Sequence, residues 1–304
     1  MSRPTGGGPV APQPVRELTA VSADGSRIHV EVFGPEGAPA VVLAHGWTCS
    51  IAFWAEQIRD LSADHRVIAY DQRGHGRTAQ VGRSGYSTTA LADDLEAVLA
   101  ATLAPGEKAV LAGHSMGGMT IMAAADRPGL RDHAAAVLLC STGPARLVAE
   151  SLVVPIRPGG LRSRLTRGIL GARAPLGPVT PVSRKILKYA TMGPGSAPER
   201  VDACARIVHA CPRPARVAWS HVLAELDLEA GLAGLTQPVA VLVGAADRLT
   251  PPVHARTIAA ALPRCVGLVE LAGMGHMTPV EAPEAVTGQI RELTVTYLGV
   301  KEDA

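Results

Sequence analysis

The chain has 304 residues, 47% of them apolar, and a net charge of +2, which is material for a large buried core and too even a balance for a nucleic-acid or polyanion binder at whole-chain level. Five cysteines, at 49, 140, 204, 211 and 265, form no C-x-x-C pair and no cluster with metal spacing, so they read as reduced thiols of a cytoplasmic protein. Apolar runs such as Ala134 to Cys140 fall well short of the ~18 residues a membrane span requires, and no transmembrane segment is expected.

Residues 1–15, rich in Pro and Gly and without a continuous apolar stretch, read as a disordered leader and not a signal peptide. Arg27 to Phe33 sets Ile28, Val30 and Val32 against polar neighbours, the alternation of an antiparallel strand near a sheet edge. Ala40 to Ala44, Val67 to Tyr70, Ala109 to Ala112, Ala135 to Cys140 and Val239 to Val243 are apolar without alternation, as strands covered on both faces are. Leu91, Leu95, Val98 and Leu99 share one helical face after Ser87, and Ala285 to Leu298 reads as a C-terminal helix. From about Pro144 to Ser220 the strand–helix alternation lapses into Pro/Gly-punctuated amphipathic segments. This stretch carries 13 Arg plus Lys against 3 acids, a net charge of about +10 that could attract an anionic substrate, a carrier or a membrane surface. Of the chain's 29 basic residues 25 are Arg, which suits a GC-rich coding bias and solvated surface positions equally well. Leu152, Val153, Val154, Ile156, Leu165, Ile169 and Leu170 are candidates to line an acyl pocket or to pack the segment onto its neighbours.

Residues 110–119, V-L-A-G-H-S-M-G-G-M, place Ser115 between an apolar strand and a helix. The turn needs Gly113 and Gly117, where a side chain would strike the neighbouring strand or helix, and it leaves the Met116 N–H free to meet a developing negative charge. Asp247 follows an apolar strand in L-V-G-A-A-D-R-L-T-P-P, and His276 sits in G-M-G-H-M-T-P after the next strand, Gly267 to Leu271. A serine hydroxyl attacks only when a neutral imidazole takes its proton, and the imidazole needs a carboxylate to fix its tautomer. Ser115, Asp247 and His276 supply these groups, with Glu270 and Glu281 as the nearest alternative carboxylates. His114 is read as packing beneath the turn.

On these motifs, and on V-V-L-A-H-G-W (Val41 to Trp47) and D-Q-R-G-H-G (Asp71 to Gly76), the chain resembles the α/β-hydrolase-fold serine hydrolases, a family of esterases, lipases and perhydrolases, over roughly Arg16 to Leu298. The resemblance implies an α/β fold: a mostly parallel eight-stranded sheet flanked by helices, formed by residues 16–143 and 221–304, with a helical cap at 144–220. It implies catalytic Ser115, Asp247 and His276 and an oxyanion hole of the Trp47 and Met116 N–H groups. His45, Gly46, Gly113 and Gly117 support that hole, and His45, Arg73 and His75 tie loops together. The expected reaction is hydrolysis of a small carboxylic ester, lipase-like in its apolar acyl group, with no metal or organic cofactor. Perhydrolase, thioesterase and acyl-transfer chemistry use the same groups. A non-catalytic binding protein would need no triad, and an epoxide hydrolase or dehalogenase would carry Asp at the place of Ser115.

Overall fold

The computed structural model describes residues 12–299, so most of the expected leader lies outside the described residues; Val15, its last residue, already donates to the Val32 carbonyl at 2.8 Å. Eight strands form one sheet: β1 (Arg16–Val21), β2 (Arg27–Phe33), β3 (Ala40–Ala44), β4 (Arg66–Tyr70), β5 (Ala109–His114), β6 (Ala134–Cys140), β7 (Val239–Gly244) and β8 (Cys265–Leu271). Their order is β1-β2-β4-β3-β5-β6-β7-β8. β1 and β2 pair antiparallel, β2 joins β4 antiparallel, and from β4 to β8 every pair is parallel.

The unalternating apolar runs have the expected cause, because each side of the sheet is covered. One face, including Val42, Ile68, Leu111, Val137 and Val241, packs with Leu91, Leu95 and Val98 of the helix Thr88–Thr102 and Ile258 of the helix Pro252–Ala261. The other, with Val41, Leu43, Val67, Val110 and Leu138, packs with Ile58 of the helix Ala55–Leu61 and Ile290 of Pro283–Leu298. Ser87 caps Thr88–Thr102 by accepting from the Ala90 N–H at 3.0 Å. On β2, past the exposed Arg27, the polar His29 and Glu31 are buried as well as the apolar residues: β1 flanks the strand, and His29 Nε2 meets Glu31 Oε1 at 3.1 Å.

The chain leaves β3 toward β4 on one side and returns through β5 on the other, so the loops after β3 and β5 diverge at their carboxyl ends and open a crevice. Between β6 and β7 six helices are inserted: Leu147–Glu150, Gly160–Leu170, Pro181–Thr191, Pro198–Ala210, Arg213–Glu225 and Glu229–Leu232. The two ends of this insertion are pinned together by the Leu228 N–H on the Pro144 carbonyl at 2.7 Å and by a bridge between Ala145 and Asp227. The sequence-based boundary at 220 therefore falls inside a helix. Pro/Gly punctuation ends there, but the helical hydrogen bonding runs on to Glu225 and the stem closes beyond it.

Candidate active site

Ser115 terminates β5 at φ 52°, ψ −116°, a backbone conformation costly for any residue with a side chain. Its surroundings hold it there. The Ser115 N–H donates to the Cys140 carbonyl at 2.9 Å and Thr142 Oγ1 donates to the Ser115 carbonyl at 2.7 Å. A Cβ on Gly113 would lie 2.5 Å from the Gly117 carbonyl oxygen, and one on Gly117 would lie 2.0 Å from that of Ala44, so the turn closes only with glycine at both positions. The same contact brings the end of β3 against the turn. Met116 opens the helix Met116–Ala123, where no carbonyl of the helix precedes its N–H, and the Trp47 N–H makes no hydrogen bond to a described residue.

The β3 loop is fastened from below. His45 donates through Nδ1 to the Gly46 carbonyl at 2.8 Å and accepts the Gln72 N–H at Nε2, 3.0 Å. Thr48, at φ 64°, gives its N–H to His75 Nε2 at 3.1 Å, while His75 Nδ1 donates to the Arg73 carbonyl at 3.2 Å. Both imidazoles are fully buried and stay neutral: burial and the neighbouring His75 hold His45 down to about 3, and burial holds His75 down to about 4. Arg73 ties the next loop to Asp94 and to Asp24, at 2.8 Å in each case. Asp71 accepts the Ile51 and Arg77 N–H groups, both at 2.8 Å. These are structural bonds, and His45, His75 and Arg73 do not line the cavity.

Asp247 and His276 meet across the ends of β7 and β8. His276 Nδ1 lies 2.8 Å from Asp247 Oδ2, so Nδ1 carries the proton and Nε2 keeps a lone pair. Asp247 is buried and held on every side: Oδ1 accepts the Leu249 and Thr250 N–H groups at 2.8 and 2.9 Å, and Oδ2 accepts Thr250 Oγ1 at 2.9 Å. Thr250 Oγ1 also sits 3.1 Å from His276 Nδ1. This residue escaped sequence reasoning, although its place three positions after Asp247, ahead of two prolines, was the available signal. His114 is fully buried; its Nε2–H donates to the His276 carbonyl at 2.8 Å and its ring lies 4.9 Å from that of His276. Burial first, and the neighbouring His276 ring second, hold it well below the ordinary imidazole value.

The alternative carboxylates are engaged elsewhere. Glu270 forms a bidentate pair with Arg256 at 2.7 and 2.8 Å. Glu281 takes the Gly193 N–H at 2.6 Å, Ser196 Oγ at 2.7 Å, the Met277 N–H at 3.0 Å and the Gly275 N–H at 3.1 Å. It thereby joins the insertion to the His276 loop, where the His276 N–H also donates to the Thr191 carbonyl at 2.8 Å. Nothing in the sequence marked Glu281 or Thr191 for that role.

Ser115 and His276 open into one cavity of about 410 Å³. Its floor is Trp47, Ser115, Met119 and His276, and the insertion supplies a mostly apolar roof that includes Leu147, Ile169, Leu170, Ile186 and Leu187. Of the seven aliphatic residues singled out in the sequence, Ile169 and Leu170 reach the cavity. Leu152, Val153, Val154, Ile156 and Leu165 do not; Val153 and Val154 are buried away from it, and Leu152, Ile156 and Leu165 face solvent.

A sequence profile described as "Alpha/beta hydrolase family" matches residues 41–289. A putative carbamate hydrolase of Variovorax paradoxus is 43% identical over 103 residues, 33% of this chain and 38% of that protein. A bifunctional esterase/perhydrolase of Acinetobacter calcoaceticus is 36% identical over 129 residues, 42% of this chain and 46% of the relative. The chain thus matches less than half the length of these curated relatives. Among solved structures, a thermophilic esterase from Thermogutta terrifontis superposes with a TM-score of 0.74 at 25% identity, covering 93% of this chain and 99% of that one.

Proposed function

Since this chain belongs to the alpha/beta hydrolase family, we propose that it hydrolyses a carboxylic ester through an acyl-enzyme formed on Ser115. The observation that carries the reading is the Nδ1–H bond from His276 to Asp247, which leaves the Nε2 lone pair in the cavity shared with a serine on a strained turn. His276 takes the Ser115 proton as Oγ attacks the carbonyl, then passes it to the departing alcohol. The tetrahedral oxyanion is received by the Trp47 and Met116 N–H groups, the latter at a helix N-terminus. Water deprotonated by His276 then attacks the acyl carbonyl carbon, the bond to Ser115 Oγ breaks as His276 returns the proton to Oγ, and the acid leaves. The helical insertion acts as the cap, and its apolar roof favours an apolar acyl group over a volume usual for small-molecule sites.

A fluorophosphonate probe should label the wild-type protein at Ser115, and Ser115→Ala should abolish both labelling and ester turnover, the latter by roughly 10⁴-fold or more. Labelling that persists in the variant overturns the assignment. The esterase/perhydrolase relative favours a second activity of the same acyl-enzyme, in which hydrogen peroxide replaces water and a peracid leaves. Peracid formation that Ser115→Ala eliminates would establish it.

A further inference from the structure

Two helices of the insertion are turned the wrong way round for simple packing. In Gly160–Leu170 the buried side chains are Arg162 and Thr166, one turn apart, while Leu161, Leu165 and Ile169 form an i, i+4, i+8 stripe facing solvent. In Pro181–Thr191 only Leu187 is buried, and Val182, Ile186 and Tyr189 form the outward stripe. These six side chains are 42 to 66% exposed. Apolar stripes normally mark the face a helix buries, and a contiguous exposed apolar surface of this kind marks a contact with something else.

The stripes converge on the cavity. Ile169 and Ile186, and Leu176 between the helices, both line the cavity and stand exposed, so its mouth opens through the apolar surface. Charge then selects what covers it. From Ser151 to Pro198 the sequence contains eight basic residues and no Asp or Glu. Arg157, Arg164, Arg173 and Lys185 are exposed beside the stripes, and the Arg248 guanidinium lies 4.5 Å over the Tyr189 ring at the end of one of them. A second copy of the chain would bring the same net-basic surface against itself, and the acids that reach it from neighbouring helices, Asp202 and Glu225, are already paired with Arg184 and Arg167. Apolar helix faces with a basic border suit an interface of acyl chains beneath anionic headgroups. No helix among the described residues is long and apolar enough to cross a membrane, so the contact is peripheral.

We propose that the outward faces of Gly160–Leu170 and Pro181–Thr191 dock the protein on an anionic lipid surface, with the mouth of the Ser115 cavity held against it. Docking does not depend on the chemistry at Ser115. The test therefore uses the Ser115→Ala protein, which cannot degrade the vesicles if the ester reading holds and binds them equally if it fails.

Flotation with phosphatidylcholine vesicles, with and without an equal part of phosphatidylglycerol, reads the partition directly. Binding should require the anionic lipid. It should weaken about tenfold or more when salt rises from about 0.1 M to about 0.5 M, as screening shortens the reach of the basic border. Leu161→Asp with Val182→Asp, which touch neither the cavity nor Ser115, should abolish it at unchanged thermal unfolding, and Arg164→Glu with Lys185→Glu should weaken it. Should the aspartate pair fail to fold, Val182→Trp emission quenched by lipid brominated along its acyl chains gives an independent measure of insertion. The proposal is overturned by three results: no binding to anionic vesicles with no quenching, equal binding to neutral and anionic vesicles, or a wild-type dimer in sedimentation that the aspartate pair dissolves.

Discussion

Replacing Asp247 with Asn tests the acyl-transfer reading most sharply, because the local hydrogen bonds dictate which way the new amide must face. Oδ1 of Asp247 receives two backbone N–H groups, from Leu249 and Thr250. An amide NH₂ placed there would oppose two donors, so the amide oxygen takes that position and NH₂ points to Thr250 Oγ1 and His276. The imidazole must then accept at Nδ1 and carry its proton on Nε2, putting a donor into the cavity it shares with Ser115 where the proposed mechanism requires a base. The fold is little disturbed, since the Leu249 and Thr250 N–H groups keep the amide oxygen as acceptor and Thr250 Oγ1 accepts from the new NH₂, losing only its own hydroxyl's bond to Oδ2. Loss of the base tautomer is an effect of about 10⁴ in kcat, or about 5.5 kcal/mol in the barrier. The assay is kcat for a chromogenic short-chain ester alongside the urea midpoint. A variant with near-native kcat would refute the tautomer argument and the role of Asp247 with it; Glu270→Gln, in the exposed pair with Arg256, should leave kcat unchanged.

Three further outcomes follow from other parts of the site. His45, His75 and His114 are neutral in the folded protein, held down to about 3, to about 4 and well below the usual imidazole range by burial, whereas in the unfolded chain they take a proton near pH ~6.5. Their contribution is therefore complete above that value and lost as pH falls toward about 4, by about 1.4 kcal/mol per pH unit for each. Asp71 and Asp94, both pushed up by burial, oppose this by favouring the folded state as they protonate. The urea midpoint should still fall between pH 6 and pH 5, before carboxylates titrate at their usual values, and an unchanged midpoint refutes the reading. Gly46→Ala places a Cβ 2.7 Å from His114 Nδ1 and 3.1 Å from Ser115 Cβ. It should displace the Trp47 N–H and lower kcat by about 10²-fold at a stability loss of about 1–3 kcal/mol, and full turnover would remove Trp47 from the oxyanion site. Glu281→Gln turns an NH₂ toward donors now served by a carboxylate and should lower unfolding stability by about 2–4 kcal/mol, measured by denaturant titration; a neutral result would mean the buried carboxylate is dispensable.

The central strands were legible because burial on both faces leaves an unbroken apolar signature, and β3 was read to the residue. β1 was not, since Arg16–Val21 is largely exposed and carries two charges at its start. The Ser115 turn was legible because its glycines are sterically compelled, and the Asp247 and His276 loops because they follow apolar strands. The supports around them were hidden for a physical reason. Thr250, Thr191 and Glu281 act through hydrogen bonds to backbone or side-chain groups brought close by the fold, and such bonds impose no periodicity on the sequence. The insertion misled in another way: its helices have the expected amphipathic period, but period alone does not say which face is turned inward.

The seam between the insertion and the His276 loop divides that insertion into two unequal parts for anyone wishing to alter what the cavity admits. Gly193 and Gly275 lie where any Cβ would collide with the opposite backbone, at 1.9 and 2.4 Å, and Glu281 stitches the two segments through both. Residues 191–200 are thus built into the same rigid piece as the His276 imidazole, and substitutions there would shift the proposed base along with the pocket. Gly160–Leu170 and Leu176 have no such tie to the imidazole. Selectivity can be remodelled on that side, by changing side-chain volume at Ile169, Leu170 or Leu176, with the proton-transfer geometry left as it stands.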